Sequence, residues 1–485
     1  MPGYFVENFG CRATQADGAA LERQFEERGL VRASTPAQAS VVVMNTCTVT
    51  AGADQDARAA IRRVRRQNPE ARIVVTGCYA QRAPEEIAAL PGVSLVIGNS
   101  HKHQLAEIAL DQSVETPATG TFIPIDVLTT GQAAGGEERS PIFVSDIFAH
   151  TELLAAPVFD AANERTRPNL KVQDGCDNRC SFCVIPYVRG QSRSLEVDRI
   201  LSEVNGLVAS GYREVVISGI NLGRWGRDLD GYRLPATGFR ILPADSKDAF
   251  RTPRAGNRKP TLENLIRAIL SETALEKLRI SSVEPMDWTD ELISLVACSP
   301  RIAKHAHVPM QSGSDALLRR MHRKYRPWHY REKIEKIRAA MPAAAIGADV
   351  MVGFPGETDA EFEATRRMIE ELPFTYLHVF TYSARPGTHA AAMPNQVPVH
   401  LARERNRILR ELAAEKKLAF MRGFVGKEVD AITLNVVGYD GSVAFTEALT
   451  DNYLKLRLGG RQDANRWQRA QIEAVVDGAL VGREI

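Results

Sequence analysis

Cys176, Cys180 and Cys183 fall within eight residues, separated by three residues and then two, so one short loop can wrap them around a single metal centre. Three thiolates are one short of the four in a closed structural zinc site, whereas a four-iron cluster held by three cysteines keeps one iron open to another ligand. An open iron can bind and activate a second molecule, so the loop reads as a place of chemistry. A disulfide loop, or a zinc knuckle with its fourth ligand elsewhere, is the alternative. The spacing, followed by Ile185-Pro186-Tyr187-Val188-Arg189-Gly190, is more specific than an isolated C-x-x-C.

A second set is spread along the first 80 residues. Strand-like runs at 4–8, 41–46 and 73–77 lead into Cys11, Cys47 and Cys78, and helical stretches at 15–28, 53–67 and 84–90 follow them. Strands that alternate with helices build a parallel sheet, and a parallel sheet aligns the carboxyl ends of its strands on one edge. The pattern predicts that the three cysteines converge there as a second three-thiolate site; three separately buried cysteines are the alternative. Cys298, in the apolar helical stretch 292–298, has no partner in sequence and is expected to be an inert core residue.

The elements that must position the first loop form a block from about 168 to 384. Six strand-like runs, 170–173, 214–219, 278–282, 305–309, 345–351 and 375–380, alternate with helices and fit an open barrel whose site lies at the carboxyl ends of its strands. The cysteine loop follows the first run. Glycines and polar residues crowd the ends of the next four: Ser218-Gly219-Ile220-Asn221, Arg279-Ile280-Ser281-Ser282-Val283-Glu284, Pro309-Met310-Gln311-Ser312-Gly313, and Gly347-Ala348-Asp349 through Glu357. That is the lining expected of a cleft for a polar cofactor.

The loop, with aromatic Phe182 just before its third cysteine, resembles the radical S-adenosylmethionine (SAM) enzymes, and the run from Lys171 to Gly190 resembles more narrowly the methylthiotransferases. Within them the wording Val172-Gln173-Asp174-Gly175, Gly219-Ile220-Asn221-Leu222-Gly223 and Leu377-His378-Val379-Phe380-Thr381-Tyr382-Ser383-Ala384-Arg385-Pro386-Gly387-Thr388 is similar to the branch that modifies N6-threonylcarbamoyladenosine in tRNA. The resemblance implies two [4Fe-4S] clusters. Cys176, Cys180 and Cys183 would hold the one whose open iron binds the amino and carboxylate groups of SAM and cleaves it to a 5′-deoxyadenosyl radical. Cys11, Cys47 and Cys78 would hold an auxiliary cluster that carries sulfur. SAM contacts would come from Phe182, Ser218, Gly219, Asn221, Ser281, Glu284, Gln311 and Asp349. The implied reaction inserts a methylthio group at carbon-2 of the modified adenosine, with a flavodoxin- or ferredoxin-like electron donor and a sulfur donor as further partners. A purine C–H bond offers nothing to acid–base or nucleophilic catalysis, which makes a radical the chemically sensible tool. Isopentenyladenosine in tRNA and an aspartate of a ribosomal protein are the alternative substrates; a non-catalytic iron–sulfur or zinc RNA-binding protein is the alternative class.

The fold class expected is α/β: a parallel N-terminal domain over 1–110, a linker and variable segment over 111–167, an open (βα)6 radical SAM barrel over 168–399, a connecting helix over 400–419, and a small β-barrel over 420–485. In the last segment the strand-like runs 428–434, 441–449, 453–458 and 472–476 resemble a TRAM domain, an RNA-binding module. With 61 basic and 59 acidic residues the net charge is only +2, so any basic surface for tRNA must be local. The candidates are Arg62, Arg63, Arg65 and Arg66, the run Arg319 to Lys324, the helix with Arg403, Arg405, Arg407 and Arg410, and an arginine-containing insertion at 231–260. No apolar run approaches the roughly 18 residues of a membrane helix, and no basic-then-apolar leader stands at the start. A cytoplasmic enzyme with reduced cysteines is the expectation.

Overall fold

The computed structural model describes residues 3–111, 140–150, 153, 166–229 and 259–485. Most of the linker segment, and the insertion as far as residue 258, lie outside them. The chain divides into two compact units, Met1–Leu154 with Tyr187–Gly190, and Ala155–Pro186 with Gln191–Ile485.

The first unit is a six-stranded sheet of β1 (Gly3–Asn8), β2 (Val31–Arg32), β3 (Val41–Thr46), β4 (Arg72–Gly77), β5 (Leu95–Gly98) and β6 (Ile142–Phe143), in the order β2-β1-β3-β4-β5-β6. Every pairing is parallel. All six residues of β3 are buried, as its unbroken apolar run requires of a central strand covered on both faces. Two apolar clusters lie within this unit. One joins Val42, Met44, Ile73 and Val75 to Ile61 and Val64, and the other joins Tyr4, Val41, Val43 and Val74 to Leu21 and Phe25. Helix α1 (Arg12–Glu26) starts immediately after Cys11, and α2 (Ala51–Gln67) is capped by the Thr50 side chain, which accepts from the Ala53 amide. A short helix, α3 (Cys78–Arg82), begins at the cysteine itself. Five residues were too few for a periodic pattern, so the sequence reading missed it.

The second unit opens with β7 (Asn169–Asp174), β8 (Arg193–Ser194), β9 (Glu214–Gly219) and β10 (Lys277–Ile280), joined in the order β10-β9-β7-β8, and continues with β11 (His305–His307), β12 (Ala345–Val352) and β13 (Tyr376–Thr381). Six of these are parallel; β8 is an antiparallel addition. Backbone bonds from Ala303 to Leu278 (2.9 Å) and from Val283 to His307 (3.1 Å) tie the two sheets together. This is the open six-stranded barrel expected. On β12, Ile346, Ala348, Val350 and Val352 are fully buried, which leaves Gly347, Asp349 and Met351 for the other face, by the alternation of a strand.

A 24-residue helix, Val399–Arg422, leads to a closed barrel of β14 (Glu428–Asp440), β15 (Val443–Thr450), β16 (Lys455–Gly459), β17 (Trp467–Val476) and β18 (Ala479–Glu484), in the order β14-β15-β16-β18-β17 around a core of Ala431, Ala448, Leu456, Leu458, Ile472 and Leu480. The fifth strand was not foreseen, although the chain carries its signal: Asp477 (φ 48°) and Gly478 (φ 72°) form a two-residue turn with both residues left-handed, the Asp-Gly hairpin turn. The loop between β15 and β16 joins this barrel to the amino-terminal ends of the central strands. Tyr453 stacks against His305 (4.9 Å between ring centroids) and lies under the Arg279 guanidinium (5.3 Å), Asp451 pairs with Lys277 (3.1 Å), and Asn452 donates to the Ala343 carbonyl (3.0 Å).

Candidate active site

Cys176, Cys180 and Cys183 sit in the loop that leaves β7, at the carboxyl end of the first barrel strand. Burial pushes the Cys183 thiol up to about 12, with the neighbouring Cys180 adding to the effect, and burial likewise raises Cys176. Buried thiols of this kind ionise only against a compensating positive charge, which bound metal supplies. The chain already directs donors at the sulfurs. The Asn178 amide lies 3.4 Å and Asn221 Nδ2 3.6 Å from Cys176 Sγ, and Arg323 Nη1 lies 3.3 Å from Cys180 Sγ.

Arg323 is a correction to the sequence reading, which placed it in a basic run for RNA. It is buried, its guanidinium is also bonded to Glu284, and it lies over the Tyr325 ring. Arg320, in the same run, is held by Glu361 (2.7 Å), and Arg405 is buried against Glu357 (2.8 Å) and Asp359 (2.7 Å). These arginines hold the barrel together. Their carboxylate partners lie between 39 and 48 residues away in sequence, which a run of basic residues cannot disclose.

Of the residues expected to meet SAM, Phe182 lies in the loop, Asn221 reaches Cys176, and Glu284 meets Arg323, which also touches Cys180. Phe182 packs edge-on against Phe354 (6.4 Å). At the end of β9, Ser218 Oγ and Asn221 Oδ1 are buried without a hydrogen-bond partner, and Ser281 Oγ, just past the end of β10, is too. Three orphaned polar atoms at neighbouring strand ends offer partners to a polar ligand, because burying them unpaired costs about 1–3 kcal/mol each. Gly219 lies so close to Gln173 that a Cβ would come within 2.7 Å of Gln173 Oε1, the atom that accepts from the Asn221 amide (2.7 Å). Gln311 adopts φ +63°, and its amide donates to the Asp349 carbonyl. The Asp349 side chain faces His307 (3.2 Å) and His378 (3.3 Å). Burial pushes its carboxyl upward, but the two imidazoles outweigh that and hold it well below the usual carboxylate range.

In the first unit, Cys11, Cys47 and Cys78 follow β1, β3 and β4, three adjacent strands, as expected. Thr46 pairs with Gly77, so Cys47 and Cys78 leave the sheet at the same level. Gly10 (φ +102°) precedes Cys11, and a Cβ on it would lie 2.6 Å from Cys47 Cβ; only glycine lets the first strand end approach the second so closely. Burial, then the nearby Cys78, pushes Cys47 up to about 12. Around them lies a buried charge network not foreseen from sequence. Asp17 accepts from both Lys102 (3.0 Å) and Arg189 (2.9 Å), and Lys102 also donates to Asn45 (3.2 Å). Asn99 Nδ2 lies 3.7 Å from Cys78 Sγ. Two cations on one carboxylate leave positive charge beside three thiols. Cys298, by contrast, is exposed rather than in the core, its sulfur 4.0 Å from Ser294 Oγ.

Among the described residues only His307, Asp349 and His378 bring three metal-ligand atoms within 4.8 Å of one another. A separate cavity of about 670 Å³ is lined by Arg213, Arg461, Arg466 and Trp467, with Lys277 over the Trp467 ring (5.2 Å). Cations beside an aromatic face are the ingredients of a single-stranded nucleic-acid contact. No helix among the described residues is long and apolar enough to cross a membrane.

Comparison with known proteins agrees with this geometry. Residues 3–98 match a family model described as "Uncharacterized protein family UPF0004", and residues 170–369 match the radical SAM superfamily. The chain is 33% identical to the threonylcarbamoyladenosine tRNA methylthiotransferase MtaB of Aquifex aeolicus over 96% of its length and 99% of that protein, and 35% identical to MtaB of Bacillus subtilis over 94% and 90%. It is also 32% identical, over 88% and 85%, to the tRNA-2-methylthio-N(6)-dimethylallyladenosine synthase of Novosphingobium aromaticivorans. The fold is similar to that of the radical SAM methyltransferase TsrM from Kitasatospora setae, with a TM-score of 0.51 at 17% identity over 81% of this chain and 77% of that one.

Proposed function

Because the chain belongs to the family of the radical SAM tRNA methylthiotransferases, we propose that it places a methylthio group on carbon-2 of N6-threonylcarbamoyladenosine in tRNA. The observation that carries this is the pairing of two three-cysteine sets at the carboxyl ends of parallel strands, one in a single loop beside orphaned polar atoms and one across three strands.

The [4Fe-4S] cluster at Cys176, Cys180 and Cys183 supplies, when bound, the electron that cleaves SAM. The chain's own residues do the positioning. Asn221 and Arg323 donate toward the sulfurs, which stabilises negative charge on them. Ser218, Asn221 and Ser281 offer unsatisfied polar atoms to the polar groups of SAM, and Gly219 keeps that wall low. Glu284, Gln311 and Asp349 line the same strand ends, and Phe182 braces the loop. Cys11, Cys47 and Cys78 hold the second cluster, where Lys102 and Arg189 offset the charge of the thiolates. The C-terminal barrel and the cavity at Arg461, Arg466 and Trp467 contact tRNA phosphates and an unstacked base. The domain limits follow: 1–110, 111–167, 168–399, 400–419 and 420–485. The setting is the cytoplasm, with a flavodoxin- or ferredoxin-like protein as reductant and a separate sulfur donor.

Mass spectrometry of tRNA nucleosides from a deletion strain tests the substrate. Loss of 2-methylthio-N6-threonylcarbamoyladenosine alone is the expected result. Loss of the methylthio derivative of isopentenyladenosine instead would replace the substrate and keep the enzyme class, and an unchanged tRNA profile would move the target off tRNA.

A further inference from the structure

We propose that His307, Asp349 and His378 form a binding site for one divalent transition-metal ion, in the barrel and separate from both cysteine sets. The three residues come from β11, β12 and β13, and Asp349 pairs directly with His378 across the sheet. Asp349 Oδ1 lies 3.2 Å from His307 Nε2 and 3.3 Å from His378 Nδ1. Neighbouring ligands about 2.1 Å from a common ion stand about 3 Å apart, so these spacings are those of donors that share a centre.

The protons decide between an ion and an ordinary His–Asp contact. Tyr376 Oη lies 2.7 Å from His305 Nε2 and 3.0 Å from His307 Nδ1. The Tyr376 hydroxyl can donate to His305 while His307 Nδ1–H donates to that hydroxyl, the tautomer in which His307 Nε2 carries no proton. His307 Nε2 is then a bare lone pair, and it faces a carboxylate oxygen. It is buried, its side chain is 7% exposed, and it makes no hydrogen bond despite the 3.2 Å approach. An unpartnered ring nitrogen, nine-tenths buried and aimed at a carboxylate oxygen, is a ligand position that a cation fills. The second ring nitrogen of His307, held by Tyr376, is the outer hydrogen bond that fixes the tautomer of a metal-binding histidine. His378 is half exposed, which leaves coordination positions open on the face of the sheet away from the buried residues of β12. Two imidazoles and a carboxylate select manganese, iron, cobalt or zinc over magnesium and calcium.

Mn(II) is the probe of choice, because it is visible by electron paramagnetic resonance and does not favour thiolates. It is titrated into the anaerobically reconstituted full chain with its clusters oxidised and silent, without SAM or tRNA, so the result is independent of the proposed reaction. One ion bound per chain is expected, with affinity falling at least ~10-fold in Asp349→Asn and in His378→Ala. His378 is exposed enough that its loss leaves the fold intact, and an unchanged iron content verifies this in both variants. Absence of binding to the unaltered chain, or equal binding by both variants, would overturn the site.

Discussion

The two cysteine sets solve one problem in opposite ways. Cys176, Cys180 and Cys183 are neighbours in sequence and need only one loop to meet, whereas Cys11 and Cys78 are 67 residues apart (78 − 11) and meet only when three strands have paired. The loop carries its ligand geometry locally, so the barrel has only to present it. The strand-end set has no geometry before the first unit folds, and binding there is inseparable from folding. The local set leaves room for a ligand to approach from the barrel, and the dispersed set is anchored by the sheet itself.

Breaking either set separates their roles. Replacing Cys176, Cys180 or Cys183 with Ala is expected to reduce 5′-deoxyadenosine formation to background; normal formation in all three variants would remove the loop from the chemistry. Replacing Cys11, Cys47 and Cys78 together is expected to lower iron from about eight to about four per chain while SAM cleavage survives and methylthiolation stops. Iron analysis and a paired assay of both products decide it, and persistent methylthiolation would reverse the assignment. Lys102→Met sharpens the contrast. It removes one of the donors bonded to the buried Asp17, at about 1–3 kcal/mol. A lower unfolding midpoint for the first unit, with SAM cleavage retained, is the expected result, and an unchanged midpoint would count against the network. Gly10→Ala is the smallest change: the left-handed backbone and the close approach to Cys47 cost about 1–3 kcal/mol. It should weaken iron retention at the strand-end set alone, measured as the rate of iron loss to a chelator. Equal loss from both sets would mean that they are not independent.

The contrast also explains what could be read from the chain. The cysteine loop, the three strand ends and the six central strands were legible because each is a local pattern: a spacing, an apolar run, a glycine at a turn. The charge networks were not. Arg323 reads as one of several basic residues until Glu284 and Cys180 are seen beside it, and Asp17, Lys102 and Arg189 are separated by 85 and 172 residues. His307 and His378 likewise look like ordinary strand residues until β12 brings Asp349 between them. Cys298 misled because an apolar neighbourhood in sequence says nothing of which side of a helix a residue takes. Of these, only β18 had a local signal that was overlooked, the Asp477-Gly478 turn.

Tyr453, the tip residue of the loop between β15 and β16, has a consequence beyond holding two barrels together. It packs against the amino-terminal ends of the central strands, between His305 and the guanidinium of Arg279. Removing it bares His305 and Arg279, both buried at those strand ends, to water. A chain cut after Met421 loses this cover. Such an enzyme would still consume SAM, but idly, spending it on 5′-deoxyadenosine with no modified nucleoside to show for it.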